Sequence, residues 1–164
     1  MGAQKQSLAH SRISPPPVVG IIASLYNQPY ADQLLEGALA CFKTLGVTKP
    51  PPRVFTVPGC VEIPIVAQKL AQTHHCDVLV ALGIVLQGQT SHHEQVAFQV
   101  SLGCQLVSLA SGIPLIFGVL TVSHLTHLKA RLRGRHHKGR EAACAALHVV
   151  QTLRQVEKMR LDAR

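Results

Sequence analysis

The stretch Val18-Val19-Gly20-Ile21-Ile22-Ala23 is an unbroken apolar run rich in β-branched residues. Such a run predicts a strand that is covered on both faces, as in a parallel sheet flanked by helices. Asp77–Leu82 has the same character, and Arg53–Val57 and Ile113–Leu120 are also predicted to be strands. The sequence therefore predicts a sheet of four strands.

Helical patterns fill the intervals between these strands. From Pro29 onward, apolar side chains recur every three or four residues up to Gly46, which is expected to end the first helix. Further helices are predicted over Ile63–Thr73 and about Ser91–Leu109, and two basic helical stretches that separate near Gly134 close the chain. Strands that alternate with helices indicate right-handed βαβ units, an α/β fold and a mostly parallel sheet.

The composition limits the class of protein. Of the 164 residues, 47% are hydrophobic and 15% are charged, which is typical of a globular chain with a full core. We predict a flexible, proline-rich tail over residues 1–17 and a single domain over residues 18–164. The mean hydropathy of +0.22 also favours apolar surface that is buried between subunits. No apolar run reaches the roughly 18 residues of a membrane span, and the N-terminus lacks the apolar centre of a secretory signal, so we expect a cytoplasmic protein.

Positive charge is concentrated near the C-terminus. The net charge is +8, and ten of the sixteen Lys and Arg residues lie from Lys129 onward. This excess fits a solvated helix face, and it also fits a site for a small anion such as phosphate. Nucleic-acid binding is disfavoured because aromatic residues make up only 4% of the chain and no recognition motif is present. The five cysteines are scattered without metal-binding spacing, which fits small core residues in a reducing compartment.

Ligands of parallel α/β sheets bind beside the carboxyl ends of the strands. The loops expected at that edge begin at Ser24, Pro58, Gly83 and Thr121. Four motifs lie there: Ser24-Leu25-Tyr26-Asn27, Val57-Pro58-Gly59-Cys60-Val61-Glu62-Ile63-Pro64, Ala81-Leu82-Gly83-Ile84-Val85-Leu86-Gln87-Gly88-Gln89-Thr90-Ser91-His92 and Ile113-Pro114-Leu115-Ile116-Phe117-Gly118-Val119-Leu120-Thr121.

In this order and at this spacing, the four motifs resemble those of the lumazine synthase family, over about residues 18–155. The resemblance implies a flavodoxin-like three-layer α/β sandwich with a four-stranded parallel sheet. It implies an enzyme that condenses 5-amino-6-(D-ribitylamino)uracil with 3,4-dihydroxy-2-butanone 4-phosphate to 6,7-dimethyl-8-ribityllumazine, phosphate and water. It further implies a pentamer-based homo-oligomer with active sites between subunits, and neither a cofactor nor a metal. Riboflavin synthase is a candidate partner, whereas nucleic acid and membrane are not expected.

The resemblance also assigns residues to the pyrimidine substrate and its ribityl chain. Tyr26 matches a stacking aromatic, whose face can lie against a flat ring, although a half-buried loop tyrosine is the alternative. A nucleophilic Cys60 is rejected because this condensation needs no enzyme nucleophile. The segment after the third strand is expected to contact the ring through its backbone. The full set is Tyr26, Asn27, Cys60, Val61, Glu62, Ile84, Val85, Leu86 and, from the neighbouring subunit, Phe117, for which a core strand position is the alternative.

Proton transfer and phosphate binding are assigned in the same way. A histidine can shuttle protons near neutral pH, and motif register alone favours His92 over His93. An arginine can grip phosphate through two parallel hydrogen bonds, and helix N-termini attract anions. The phosphate-bearing substrate is therefore expected at Gln89, Thr90, Arg131 and Lys138.

Some positions depart from the family pattern, namely Leu25, Val61, Gln87 and Gln95. Leu132–His137 replaces the Gly-Thr-Lys-Ala-Gly-Asn stretch of the family, which favours free or paired pentamers over a sixty-subunit shell. Three alternatives use a similar fold: a non-catalytic lumazine- or flavin-binding protein, a structural shell protein and a signalling receiver. The retained His92 and Arg131 argue against the first alternative, the intact ligand loops against the second, and the lack of an acidic residue after the first strand against the third.

Overall fold

A computed structural model describes residues 13–163 of the chain. Residues 1–12 of the predicted tail lie outside the described residues. Of the remainder of that segment, Ile13 packs against the hydrophobic core, and the Pro15 carbonyl oxygen accepts a hydrogen bond of 2.6 Å from Arg154 Nη1.

The core of the fold is a four-stranded sheet. Its strands are β1 (Val19–Ser24), β2 (Arg53–Val57), β3 (Val78–Leu86) and β4 (Leu115–Val122). They are all parallel and lie in the order β2-β1-β3-β4, so the predicted α/β class and four-stranded parallel sheet are confirmed. The two central strands, β1 and β3, carry the longest buried runs, as their apolar sequences predict.

Helices cover both faces of the sheet. The helices are α1 (Tyr30–Thr44), α2 (Ile63–Gln72), α3 (His92–Ser111), α4 (Leu125–Arg131) and α5 (Lys138–Asp162), with a 3-10 turn at Gly134–His136 before the last. Helices α1, α4 and α5 share one hydrophobic core with the sheet, and α2 and α3 share the other. This arrangement confirms the flavodoxin-like three-layer sandwich.

The third strand differs from its sequence prediction. We expected β3 to end at Leu82 and a loop to begin at Gly83, which is wrong because β3 continues to Leu86. The strand persists because β4 remains paired with it as far as Leu86 and Val122. Gly83 is required by packing, since a Cβ at this position would lie 2.5 Å from Cys60 Sγ.

Helix α3 carries apolar side chains on its outer side. Only Val100 and Cys104 of its 20 residues are buried. A row of side chains that are 46–72% exposed runs along the helix, and we name it the α3 stripe: Phe98, Leu102, Leu106 and Leu109. An adjoining cleft of about 620 Å³ between α2 and α3 is lined partly by Ile65 and Leu106. A continuous apolar surface of this kind is typical of protein–protein contacts. No helix within residues 13–163 combines the length and apolarity needed to cross a bilayer.

His137 joins helices α1 and α5. Its ring lies against Gly37, where a Cβ would be 2.1 Å from His137 Cε1. Its Nδ1 accepts a hydrogen bond of 3.1 Å from the Gly139 amide and so caps α5, and the ring also forms a hydrogen bond with the backbone of Gln33. Burial lowers the pKa of His137 below its ordinary value of 6.5, because a charged imidazolium is poorly solvated at this contact.

The lowered pKa of His137 makes the stability of the fold depend on pH. The unfolded chain binds a proton at His137 before the folded chain does, so this contribution is fully present above pH 6.5 and is lost as the pH falls below it, towards the folded-state pKa. We expect the free energy of unfolding to fall less between about pH 7.5 and pH 5 in His137→Asn than in the wild type. Asparagine keeps an acceptor at the helix cap but does not titrate. Urea unfolding at one fixed protein concentration measures this, and equal pH slopes for the two proteins would contradict it.

Candidate active site

The carboxyl edge of the sheet encloses a cavity of about 310 Å³, which lies at the lower end of the size range for small-molecule sites. The loop after β1, the turn after β2, the end of β3 and the start of α3 form its walls. The lining residues are Tyr26, Asn27, Cys60, Ile84, Val85, Leu86, Gly88, Thr90, His92, His93 and Val96.

The cavity gathers one part of the predicted site. Of the residues expected to bind substrate or transfer protons, it contains Tyr26, Asn27, Cys60, Ile84, Val85, Leu86, Thr90 and His92. The structure does not place the others in the cavity lining, namely Val61, Glu62, Gln89, Phe117, Arg131 and Lys138. Three lining residues were not predicted from the sequence, namely Gly88, His93 and Val96. His93, Val96 and Val100 recur at helical spacing, and this signal could have marked the inner side of α3.

Asn27 connects the loop after β1 to β3. Its φ of 67° lies in the left-handed region, which asparagine tolerates better than most residues. Its carbonyl oxygen accepts hydrogen bonds from the amides of Tyr30 (3.1 Å) and Ala31 (3.3 Å) at the start of α1. Its side-chain Nδ2 donates to the Ile84 carbonyl at 2.9 Å. The side-chain nitrogen of Asn27 is therefore engaged by the protein, and Oδ1 is the side-chain atom that can serve a ligand.

The end of β3 presents backbone groups to the cavity. Strand β1 pairs with β3 only as far as Leu82, whereas β4 pairs as far as Leu86. Successive residues of a strand direct their peptide groups to opposite edges. Because the Leu79 and Gln87 amides both donate to the β4 side, the peptide groups of Ile84 and Leu86 face the edge that β1 has left. The side chains of Ile84 and Val85 are buried, and by the same alternation the peptide groups of Val85 face β4. The predicted backbone contact is therefore available at Ile84 and Leu86 and not at Val85.

Tyr26 lies at the mouth of the cavity. It is 68% exposed, so the alternative of a half-buried loop tyrosine is wrong. Its amide donates to Ser24 Oγ at 3.2 Å, which holds the tight turn after β1. An exposed aromatic face beside a cavity can stack on a flat heterocycle.

Glu62 and Val61 stand in the turn before α2. Glu62 Oε2 accepts a hydrogen bond of 2.9 Å from the Gly59 amide, which fixes the Pro58-Gly59 turn. This bond occupies one carboxylate oxygen and leaves Oε1 for another donor. Val61 is exposed.

Cys60 is buried beneath the cavity, beside Gly83. Its Sγ lies 4.0 Å from the Ile84 carbonyl oxygen. Burial raises the pKa of the Cys60 thiol; hydrogen bonds with Ser24 and the Ile84 backbone offset part of this effect, and the nearby Glu62 carboxylate adds a smaller increase. A raised pKa keeps the thiol protonated and unreactive, which agrees with the prediction that Cys60 is not a nucleophile.

The first turn of α3 brings two histidines to the cavity. His92 is exposed and His93 is half-buried. The His92 amide donates to Thr90 Oγ1 at 3.4 Å, and His93 Nδ1 lies 3.0 Å from the Thr90 carbonyl oxygen. Within residues 13–163, no group of three His, Cys, Asp or Glu side chains is arranged to hold a metal ion.

The three remaining cationic and aromatic candidates lie elsewhere on the chain. Arg131 ends α4, and its Nη2 lies 3.3 Å from Glu141 Oε2 in a pair whose side chains are 38% and 26% exposed. Lys138 is the first residue of α5. Phe117 is half-buried in the edge strand β4 and packs against the core beneath α2 and α3. This is the core strand position that was the alternative interpretation of Phe117.

Together, the fold and the cavity define a flavodoxin-like α/β protein with a cavity of small-molecule size at the carboxyl edge of its sheet. Residues 17–154 match the family model of 6,7-dimethyl-8-ribityllumazine synthase. The chain belongs to this family.

Three relatives that carry this name span most of the chain. The protein of Coxiella burnetii (strain RSA 493 / Nine Mile phase I) is 39% identical over 140 residues, which are 85% of this chain and 93% of the relative. That of Thermococcus gammatolerans is 39% identical over 140 residues, 85% of this chain and 90% of the relative. The 6,7-dimethyl-8-ribityllumazine synthase 1 of Caulobacter vibrioides is 39% identical over 144 residues, 87% of this chain and 94% of the relative.

The burial of Cys60 can be tested by alkylation. We expect Cys60 in the folded protein to react with iodoacetamide at least about tenfold more slowly than in urea, because both access and thiolate content are low. Peptide mapping by mass spectrometry follows each cysteine separately, with the half-buried Cys144 as an internal comparison. Rapid alkylation of Cys60 in the native protein would show that the thiol is activated.

Proposed function

We propose that this chain is a lumazine synthase, which condenses 5-amino-6-(D-ribitylamino)uracil with 3,4-dihydroxy-2-butanone 4-phosphate to 6,7-dimethyl-8-ribityllumazine, phosphate and water. The observation that carries the proposal is the composition of one cavity. An exposed aromatic, an open strand edge and the histidine-bearing start of a helix meet there, in a chain of this family. Each of these features suits one part of the two substrates.

The pyrimidine ring stacks on Tyr26 and its edge pairs with backbone groups of Ile84 and Leu86. These groups supply both donors and acceptors, which the ring of a uracil needs. The ribityl hydroxyls reach Asn27 Oδ1 and the second oxygen of Glu62, with the backbone of Cys60 and Val61 beside them. The support for this placement is that Asn27 Nδ2 and Glu62 Oε2 are already engaged by protein groups, so the remaining oxygens have defined positions.

The phosphate-bearing substrate lies against Gln89 and Thr90, at the start of α3, where the amides of the first turn attract anions. His92 shuttles protons during imine formation, phosphate loss and ring closure. It is exposed at the cavity wall, which leaves the imidazole accessible to both substrates. Orientation of the two substrates supplies the larger share of the catalysis.

We propose further that Phe117, Arg131 and Lys138 complete the cavity of a neighbouring subunit in a pentamer. Two observations support this: these side chains are absent from the cavity lining of their own chain, and the α3 stripe beside the cleft offers an apolar surface for association. The assembly is a free pentamer or a pair of pentamers in the cytoplasm, and riboflavin synthase is its candidate partner.

Arg131 is suited to bind the phosphate of a substrate that lies in the cavity of a neighbouring subunit. Its ion pair with Glu141 is partly exposed, and such pairs contribute about 0–1 kcal/mol. A bidentate hydrogen bond to phosphate is stronger than this. The guanidinium can therefore exchange one partner for the other at little cost.

The reaction is tested by an absorbance assay of lumazine formation from both substrates, measured against the uncatalysed rate. We expect His92→Ala to lower turnover by roughly 100-fold while the rate stays above background, because the two substrates are still held in orientation.

We expect Arg131→Ala to raise mainly the KM of the butanone phosphate. The control is His148→Ala, at an exposed histidine of α5, which should change neither kcat nor KM. A wild-type protein that binds lumazine or flavin tightly but gives no acceleration would support the binding-protein alternative.

The division of the site between subunits is tested by co-expression of His92→Ala and Arg131→Ala chains. In randomly mixed rings, about one quarter of the interfaces combine an intact His92 with an intact Arg131. With the butanone phosphate well below the wild-type KM, where the raised KM of Arg131→Ala lowers the rate, we expect activity near that fraction of the wild-type value, well above either variant alone. Activity equal to the mean of the two separate variants would place both residues in one subunit's site. Light scattering, which should give about 88 kDa for five chains of 17.7 kDa or twice that, confirms that the mixed species assemble.

A further inference from the structure

We propose that His93 is a positioning residue that fixes Thr90 in the phosphate-binding loop. The inference rests on the proposed function and extends it to a residue that the motif register does not assign. Residues 87–91, which connect β3 to α3, are named here the β3–α3 loop.

The hydrogen bond between His93 and the β3–α3 loop has a defined direction. His93 Nδ1 lies 3.0 Å from the Thr90 carbonyl oxygen. A carbonyl oxygen can only accept, so Nδ1 carries the proton and donates it. In the neutral ring this leaves the lone pair on Nε2, and the ring holds a single tautomer.

The two histidines occupy different positions on α3. His93 is half-buried and shares the inner side of the helix with Val96 and the buried Val100, whereas His92 is exposed. Both line the cavity. The His93 ring is therefore held on two sides, by the packing of α3 and by its bond to Thr90.

Few other contacts restrain the middle of the β3–α3 loop. All five residues of the β3–α3 loop are exposed, and a Cβ on Gly88 would meet nothing within 4 Å. At one end the Gln87 amide donates to the Val122 carbonyl at 2.9 Å. At the other end the Ser91 carbonyl accepts hydrogen bonds from the Glu94 amide (3.0 Å) and the Gln95 amide (3.4 Å) in the first turn of α3. Thr90 itself is held through Oγ1, by a bond of 3.4 Å from the His92 amide, and through its carbonyl, by His93. The shorter of these two bonds is the one that His93 supplies.

Loss of this bond should affect one substrate more than the other. Thr90 lies in the segment that holds the phosphorylated substrate, while the pyrimidine rests on Tyr26 and β3. We expect His93→Ala to raise the KM of the butanone phosphate about fivefold, the effect of one ordinary hydrogen bond, and to change the KM of the pyrimidine by less than about twofold. We expect His93→Asn to restore most of the loss, because its amide can donate to the same carbonyl.

The experiment measures kcat and both KM values for the wild type, His93→Ala, His93→Asn and the control His148→Ala. A proton-transfer role for His93 would appear as a fall in kcat that Asn does not rescue, with a shifted pH profile of kcat. Tyr26, Cys60 and His92 line the same cavity and also carry ionisable groups. The pH profile of kcat is therefore measured for His92→Ala as well, so that an effect of His93 can be distinguished from an effect of His92. Either this pattern, or unchanged kinetics in His93→Ala, would overturn the proposal. A wild type without activity would refute the proposed function instead, so the two failures are distinguishable.

Discussion

The site depends on a strand that is paired on only one side at its end. Strand β3 runs as far as Leu86 with β4, but β1 leaves it after Leu82, so the peptide groups of Ile84 and Leu86 face an open edge. Buried peptide groups require hydrogen-bond partners, and the side chain of Asn27 supplies one for the Ile84 carbonyl. The rest of this edge is left for a ligand that carries both donors and acceptors. The proposed recognition of a flat heterocycle at this edge thus depends on a difference in length between two neighbouring strands.

The same asparagine links the cavity to the distant side of the fold. Its carbonyl oxygen accepts the first amides of α1, α1 lies against the ring of His137 at Gly37, and that ring caps α5 at Gly139. Lys138 lies within this cap, and Arg131 is held to α5 through Glu141. One chain of contacts therefore sets the position of both the cavity and the cationic residues, although these lie apart in the subunit.

Much of this arrangement could be predicted from the sequence, and the failures have physical reasons. The apolar runs of β1 and β3 predicted buried parallel strands, and the motifs after the strands predicted that Tyr26 and His92 would lie at one edge of the sheet. Gly83 was misread as the start of a loop, because a glycine required by the Cys60 sulfur looks the same in sequence as one required by a turn. The bond of Asn27 to Ile84 spans 57 residues of sequence, so no local pattern indicates it. Sequence spacing also cannot tell whether Phe117 and Arg131 face their own cavity or another.

The partly exposed pair of Arg131 and Glu141 suggests why the cationic half of a site would be carried on a separate surface. An arginine buried beside the ligand edge would need a permanent counter-charge there, and removal of that charge for each phosphate would be costly. A pair that is 38% and 26% exposed remains partly solvated, so the exchange of a carboxylate for a phosphate involves little additional desolvation. In the proposed pentamer, the strand edge with its open peptide groups is left to the ring, and the cation is supplied where two subunits meet. Such a division keeps the cation and its counter-charge apart from the cavity of about 310 Å³ in which the ring is proposed to lie.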